Sequence, residues 1–67
     1  MTLIALDQLI DRYRATLDAE RSAEAAMIAD VATHGGSMPN NAWQARWRAE
    51  SRLRAALAVR EAFEGEA

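Results

Sequence analysis

Apolar residues recur at Leu3, Leu6, Ile10, Tyr13 and Leu17, in alternating steps of three and four. That spacing gathers them on one face of a helix. The same stepping continues through Glu20, Glu24, Met27 and Val31, so the face is apolar at its start and acidic in its middle. Neither Gly nor Pro interrupts residues 3–33. Thr2 stands where an N-cap hydroxyl takes a free amide hydrogen, and Asp7 brings negative charge near the positive end of the helix dipole. Gly35 and Gly36 supply the left-handed backbone that closes a helix. The pattern predicts a first helix over about 3–33.

Residues 34–41, His-Gly-Gly-Ser-Met-Pro-Asn-Asn, hold the turn chemistry of the chain. Asn41 with Gln44 fits a capping box, and Asn40 serves equally well as the cap. A second helix is predicted over about 42–64, with Gly65 as its stop. Its seam reads Ala42, Arg46, Ala49, Leu53, Ala56, Arg60 and Phe63. Three alanines allow close helix approach but bring little apolar area. The short connection favours an antiparallel hairpin, an all-α fold in one domain spanning residues 1–67. Leu9, Ile28, Trp43, Trp47, Leu57 and Val59 are left outside that thin seam. Apolar groups in such number mark an interface, and two hairpins packed as a four-helix bundle would cover many of them. A homodimer is the expected assembly.

Composition narrows the chemistry. A chain of 67 residues buries only about 60% of its unfolded surface. With no cysteine there is no disulfide framework and no thiolate metal site, and one histidine, His34, builds neither a metal site nor a catalytic relay. No metal, no cofactor and no enzymatic activity are expected. The apolar runs are too short to span a membrane. Asp7 and Asp11 also stand where a signal peptide keeps its uncharged stretch. The expected location is the cytoplasm.

The seam acids and the second-helix aromatics are the positions that ask for a role. With a pivot near Gly36, Glu24 lies level with Ala49 and Glu20 with Leu53. Arg46 and Arg52 are then the nearest partners, and Glu20, Glu24 and Arg52 are expected in a structural ion pair that fixes register. Paired carboxylates for acid–base chemistry need a pocket and a second functional group, and an alanine-lined seam offers neither. Trp43 and Trp47, four apart, share one face, roughly 120° from the Ala49–Leu53 seam. With Arg46 and Arg48 beside them they have the composition of a binding hot spot. Packing inside a dimer core is the alternative. Trp43, nearer the loop, is expected to be the more accessible.

All eight basic residues are arginine, which suits bidentate recognition and equally reflects a GC-rich coding sequence. Arg46, Arg48, Arg52, Arg54 and Arg60 give helix two a local excess of positive charge, which suggests a small nucleic-acid-binding regulator as a second reading. Against it, helix one is acidic, the net charge is −2 and no groove-reading motif is present. Nucleic acid is therefore not the expected partner. Charges ring both helices, so a membrane surface is not expected either. A purely structural dimerisation module is the third reading.

Leu3-Ile-Ala-Leu-Asp-Gln-Leu-Ile-Asp-Arg-Tyr-Arg14, the single Gly-Gly/Pro loop and Trp43-Gln-Ala-Arg-Trp47 together resemble the quorum-sensing anti-activator family of small Pseudomonas phage proteins. The resemblance covers nearly the whole chain in size and layout, without a diagnostic motif. It implies a dimeric helical hairpin that binds and blocks a host LuxR-type transcriptional activator, and a second partner in the ATPase that drives type IV pilus assembly. It also implies partner contacts at the start of helix two, at Trp43, Arg46, Trp47 and Arg48, without saying which tryptophan is the equivalent one. Met38 departs from the pattern, which has an aromatic near the loop. The expected function is inhibition of a larger host protein through its surface.

Overall fold

The computed structural model describes residues 2–66, and among them it is all-helical: α1 spans Leu3–His34 and α2 spans Gln44–Glu66. The two helices pack side by side as a hairpin with a long axis of 53 Å. At 1.5 Å per residue, the 32 residues of α1 account for most of that length.

Both ends of α1 are set by local chemistry. The Thr2 hydroxyl accepts the Ala5 amide hydrogen at 3.0 Å, and the Thr2 carbonyl accepts that of Leu6. At the other end the Gly35 N–H donates to the Val31 carbonyl at 2.8 Å. Gly35 then turns to φ 81°, ψ −174°, and Gly36 follows at φ 96°. Positive φ with ψ near 180° is open essentially to glycine alone, a stricter demand than the ordinary left-handed cap.

The start of α2 differs from the expected capping box. Ala42 N–H donates to the Pro39 carbonyl and Gln44 N–H to the Asn41 carbonyl, which makes a tight turn over residues 40–43. Trp43 supplies the first helical carbonyl, to Trp47 N–H. The backbone of the turn thus takes over the role foreseen for an asparagine side chain, and α2 begins at Gln44 rather than at residue 42. It also continues through Gly65, which has no positive φ.

Leu6, Ile10, Leu17, Ala49 and Ala56 are buried, and Tyr13 and Leu53 pack against the cluster of Leu6, Ile10 and Ala56. All seven lie on the two expected seams. Leu3, Met27 and Phe63 are seam positions too, but the hairpin exposes them. The buried side chains of α1 all lie between Leu6 and Leu17. Beyond Leu17 that helix has only half-buried Glu20, Glu24 and Val31 against its neighbour. The apolar core therefore occupies the half of the hairpin that holds the chain termini.

Glu24 meets Arg46, one of the two arginines that a pivot at Gly36 brings nearest to it. Residues 35–43 between the helices are non-helical.

Leu6 is the most deeply buried large side chain, 2% exposed. Leu6→Ala should destabilise the fold by about 2–5 kcal/mol, whereas Ile4→Ala, at a position 73% exposed, should stay within about 0.5 kcal/mol. Chemical denaturation followed by circular dichroism measures both.

Candidate functional site

The loop half of the hairpin is held by charges. Arg46 sits at a seam position, and its Nε donates to Glu24 Oε2 at 2.5 Å across the helix boundary. Its Nη1 donates to Glu50 Oε1 at 3.1 Å along the same helix. Arg21 Nη2 reaches that same Glu50 oxygen from α1 at 3.4 Å. Arg46, Glu24 and Glu50 are only 20–33% exposed, while Arg21 lies near the surface. The hydrogen bonds Arg46 donates to Glu24 and then to Glu50 raise its pKa further above the ordinary value. For Glu50, burial opposes ionisation, but Arg46 and Arg21 outweigh it and hold the carboxyl below the usual glutamate range.

The expected ion pair is thus met in part and with different members. Glu24 is paired, with Arg46. Among the described residues Glu20 and Arg52 make no ion pair. Arg52 is six positions on from Arg46, which turns it to the outer flank of α2, where it edges a groove with Leu9 and Val59. The sequence reading missed Arg21 and Glu50 as members, although the four-residue step from Arg46 to Glu50 signals an ion pair along a helix. It also gave Asp7 to the helix dipole alone. Asp7 Oδ1 instead accepts from Arg60 Nε at 2.6 Å, and Arg60 further engages Glu64. Those carboxylates raise the Arg60 pKa, Asp7 most of all.

The tryptophans lie outside the seam. Their rings meet edge to face, with centroids 6.3 Å apart and planes at 80°. Trp43 is 47% exposed and Trp47 56%. The order is the reverse of the expected one, because the Trp43 indole folds back to donate to the Asn40 carbonyl at 3.1 Å while Trp47 points outward. Arg48, next to Trp47 in the chain, is exposed and makes no ion pair among the described residues. Arg46, by contrast, is committed to Glu24 and Glu50 and is not available to a partner in this arrangement. Of the four residues expected to form a contact surface, Trp43 and Trp47 stand together at the surface, Arg48 is exposed on another side of α2, and Arg46 is held in the seam.

Chemically, the seam carboxylate Glu24 is fixed in an ion pair. His34 closes α1, exposed, with Nδ1 2.9 Å from Asp30 Oδ1. Among the described residues no three His, Cys, Asp or Glu side chains converge as metal ligands, and no helix is long and apolar enough to cross a membrane. The arrangement is an exposed aromatic pair carried on two helices joined by ion pairs.

The lowered pKa of Glu50 fixes the sign of a pH dependence. The unfolded chain holds this proton more tightly than the folded one does. The stability that Glu50 contributes is therefore complete above the ordinary glutamate range and is lost as pH falls through the lowered value. Melting temperatures of the wild type and Glu50→Gln, compared from about pH 7 down to about pH 3, should converge on acidification. Parallel curves would remove the ionised Glu50 from the account.

No family model matches this chain, and neither a curated protein nor a solved structure matches it.

Proposed function

We propose that this chain is a non-catalytic, cytoplasmic interaction protein that works as a homodimer and inhibits a larger protein by occupying its surface. The observation that carries the reading is the exposed, perpendicular Trp43–Trp47 pair. Tryptophan and arginine are the side chains most enriched at binding hot spots. An edge-to-face pair is also already ordered, so docking costs it little conformational freedom. At roughly 100° per residue, Ile28 and Trp43 fall on the same side of the hairpin, toward the Arg21–Glu50 contact. Exposed Ile28 extends the aromatic surface onto α1.

Ile4 and Leu57 continue that side into the terminal half, and both are exposed. Charges of both signs surround them there, among them Asp11, Arg14, Arg54 and Glu61. Mixed charge around apolar groups suits contact with a second copy, since a two-fold arrangement can set acid against base. A four-helix bundle would also supply the core volume that five buried side chains, two of them alanine, leave wanting. The loop half then meets the partner and the terminal half the second copy. The resemblance to phage anti-activators nominates a LuxR-type activator and the type IV pilus ATPase as the proteins to test first. Arg46 and Arg60 are spent on carboxylates, which leaves helix two with fewer arginines for nucleic acid than its sequence suggests.

Two variants divide the roles. Trp47→Ala should keep its helical signal and sediment at twice the 7.4 kDa chain mass while losing about 2 kcal/mol or more of partner binding. Leu57→Asp should sediment as the monomer. Trp43→Ser removes the ring but supplies an N-cap hydroxyl, so its stability should stay within about 1 kcal/mol of wild type while partner capture falls. If each tryptophan variant that loses the partner also unfolds, the pair is structural and the reading fails.

A further inference from the structure

Glu20 and Arg52 carry opposite charges at nearly one height of the hairpin, yet among the described residues neither makes an ion pair. Both belong to the side turned away from the Arg21–Glu50 contact. That side holds an open groove of about 260 Å³ between the helices, with Leu9 and Tyr13 on one rim and Arg52, Ala55 and Val59 on the other. Glu20 follows Tyr13 by two helical turns and continues the same face of α1. The contacts Asp7–Arg60, Arg21–Glu50 and Glu24–Arg46 set the register of the helices. In that register Leu9 lies level with Val59, Tyr13 with Ala55, and Glu20 within a turn of Arg52. Across the groove, apolar stands level with apolar, a large side chain with a small one, and acid with base.

Such a surface is its own complement. A two-fold axis running along the groove lays α1 of each copy on α2 of the other, antiparallel and at the same height. Leu9 then meets Val59, Tyr13 comes over Ala55 and Ala56, and Glu20 meets Arg52, each contact made twice. We propose that this groove is a contact between two copies of the chain, closed by Glu20–Arg52 pairs between the copies. Glu20 is half-buried without a cation of its own, a cost that Arg52 of a second copy removes. Arg12 and Arg48, further out on the rims, come level with Ala55 and Ala23 of the other copy rather than with an arginine. They still leave this side net positive, so the contact fills at higher concentration than one through Leu57. The function proposed above seats a second copy on the Leu57 side. The groove joins copies across the opposite side and does not rest on that reading.

The test uses the full chain with Leu57→Asp as background, which blocks the opposite side. Sedimentation over a concentration series should show this chain passing from monomer to dimer as concentration rises. Glu20→Arg or Arg52→Glu, added singly, should each raise the concentration required at least about tenfold, because like charges then face each other. An equimolar mixture of these two chains should associate again, since the two reversed charges face each other and the two native ones do the same. That recovery should weaken as salt rises. Mixing cannot mend a pair formed within one chain, so this arm separates a contact between copies from an internal ion pair. Ala55→Gln fills the groove without changing charge; it should also weaken association and keeps the test open if a reversal misfolds. A Leu57→Asp chain that stays monomeric throughout overturns the proposal. So does association that none of these changes weakens, or a mixture of folded chains that fails to recover, and the groove then belongs to a different partner. If Leu57→Asp is already dimeric in dilute solution and Arg52→Glu makes it monomeric, the Leu57 contact fails and the groove stands as the contact between copies.

Discussion

Arg46 occupies a seam position where a hydrophobic residue would ordinarily close a hairpin. It closes this one by holding Glu24 across the boundary and Glu50 along its own helix, and Arg21 joins from the far side. A half-buried guanidinium needs such partners, because the desolvation of an unpaired charge exceeds what a thin core can offset. Much else in the loop half follows from that requirement. Glu24 and Glu50 are fixed by Arg46, and the large apolar side chains nearby have no seam to enter. Trp43, Trp47 and Ile28 are consequently presented at the surface.

The terminal half rests on different physics. Leu6 and Ile10 press on Ala56, where the absence of a large side chain lets the helices come close, and Arg60 with Asp7 closes the end beyond them. Area alone gives little here, since alanine contributes about one methyl group of burial. The same economy of volume leaves Leu57 and Ile4 uncovered on one side and the Leu9–Val59 groove on the other. Charges of both signs stand on each side, with Glu20 on the face of α1 that carries Leu9 and Tyr13.

Much of the fold is legible in the sequence because both helices keep a strict three-and-four stepping, and each turn of that repeat points the same way regardless of context. Thr2 and Gly35 act within four residues of themselves, so their roles can be read locally as well. The start of α2 resists such reading. Trp43 has no capping side chain, and the turn after Pro39 is closed by backbone carbonyls that any sequence possesses. Partner choice among the charges is hidden for a related reason. Whether Glu24 meets Arg46 or Arg52 depends on the register that the loop sets between the helices, which residue types do not fix.

Apolar packing dominates the terminal half of this hairpin and an ion-pair network the loop half. Native-state amide hydrogen exchange resolves the halves directly. Amides from Ile10 to Leu17 and from Leu53 to Ala56 should be the slowest to exchange and respond little to salt. Those from Glu20 to Ala32 and from Arg46 to Glu50 should exchange faster, and faster still at high ionic strength, where screening weakens the network. Uniform protection along both helices, or protection of the loop half that salt does not change, would contradict the account.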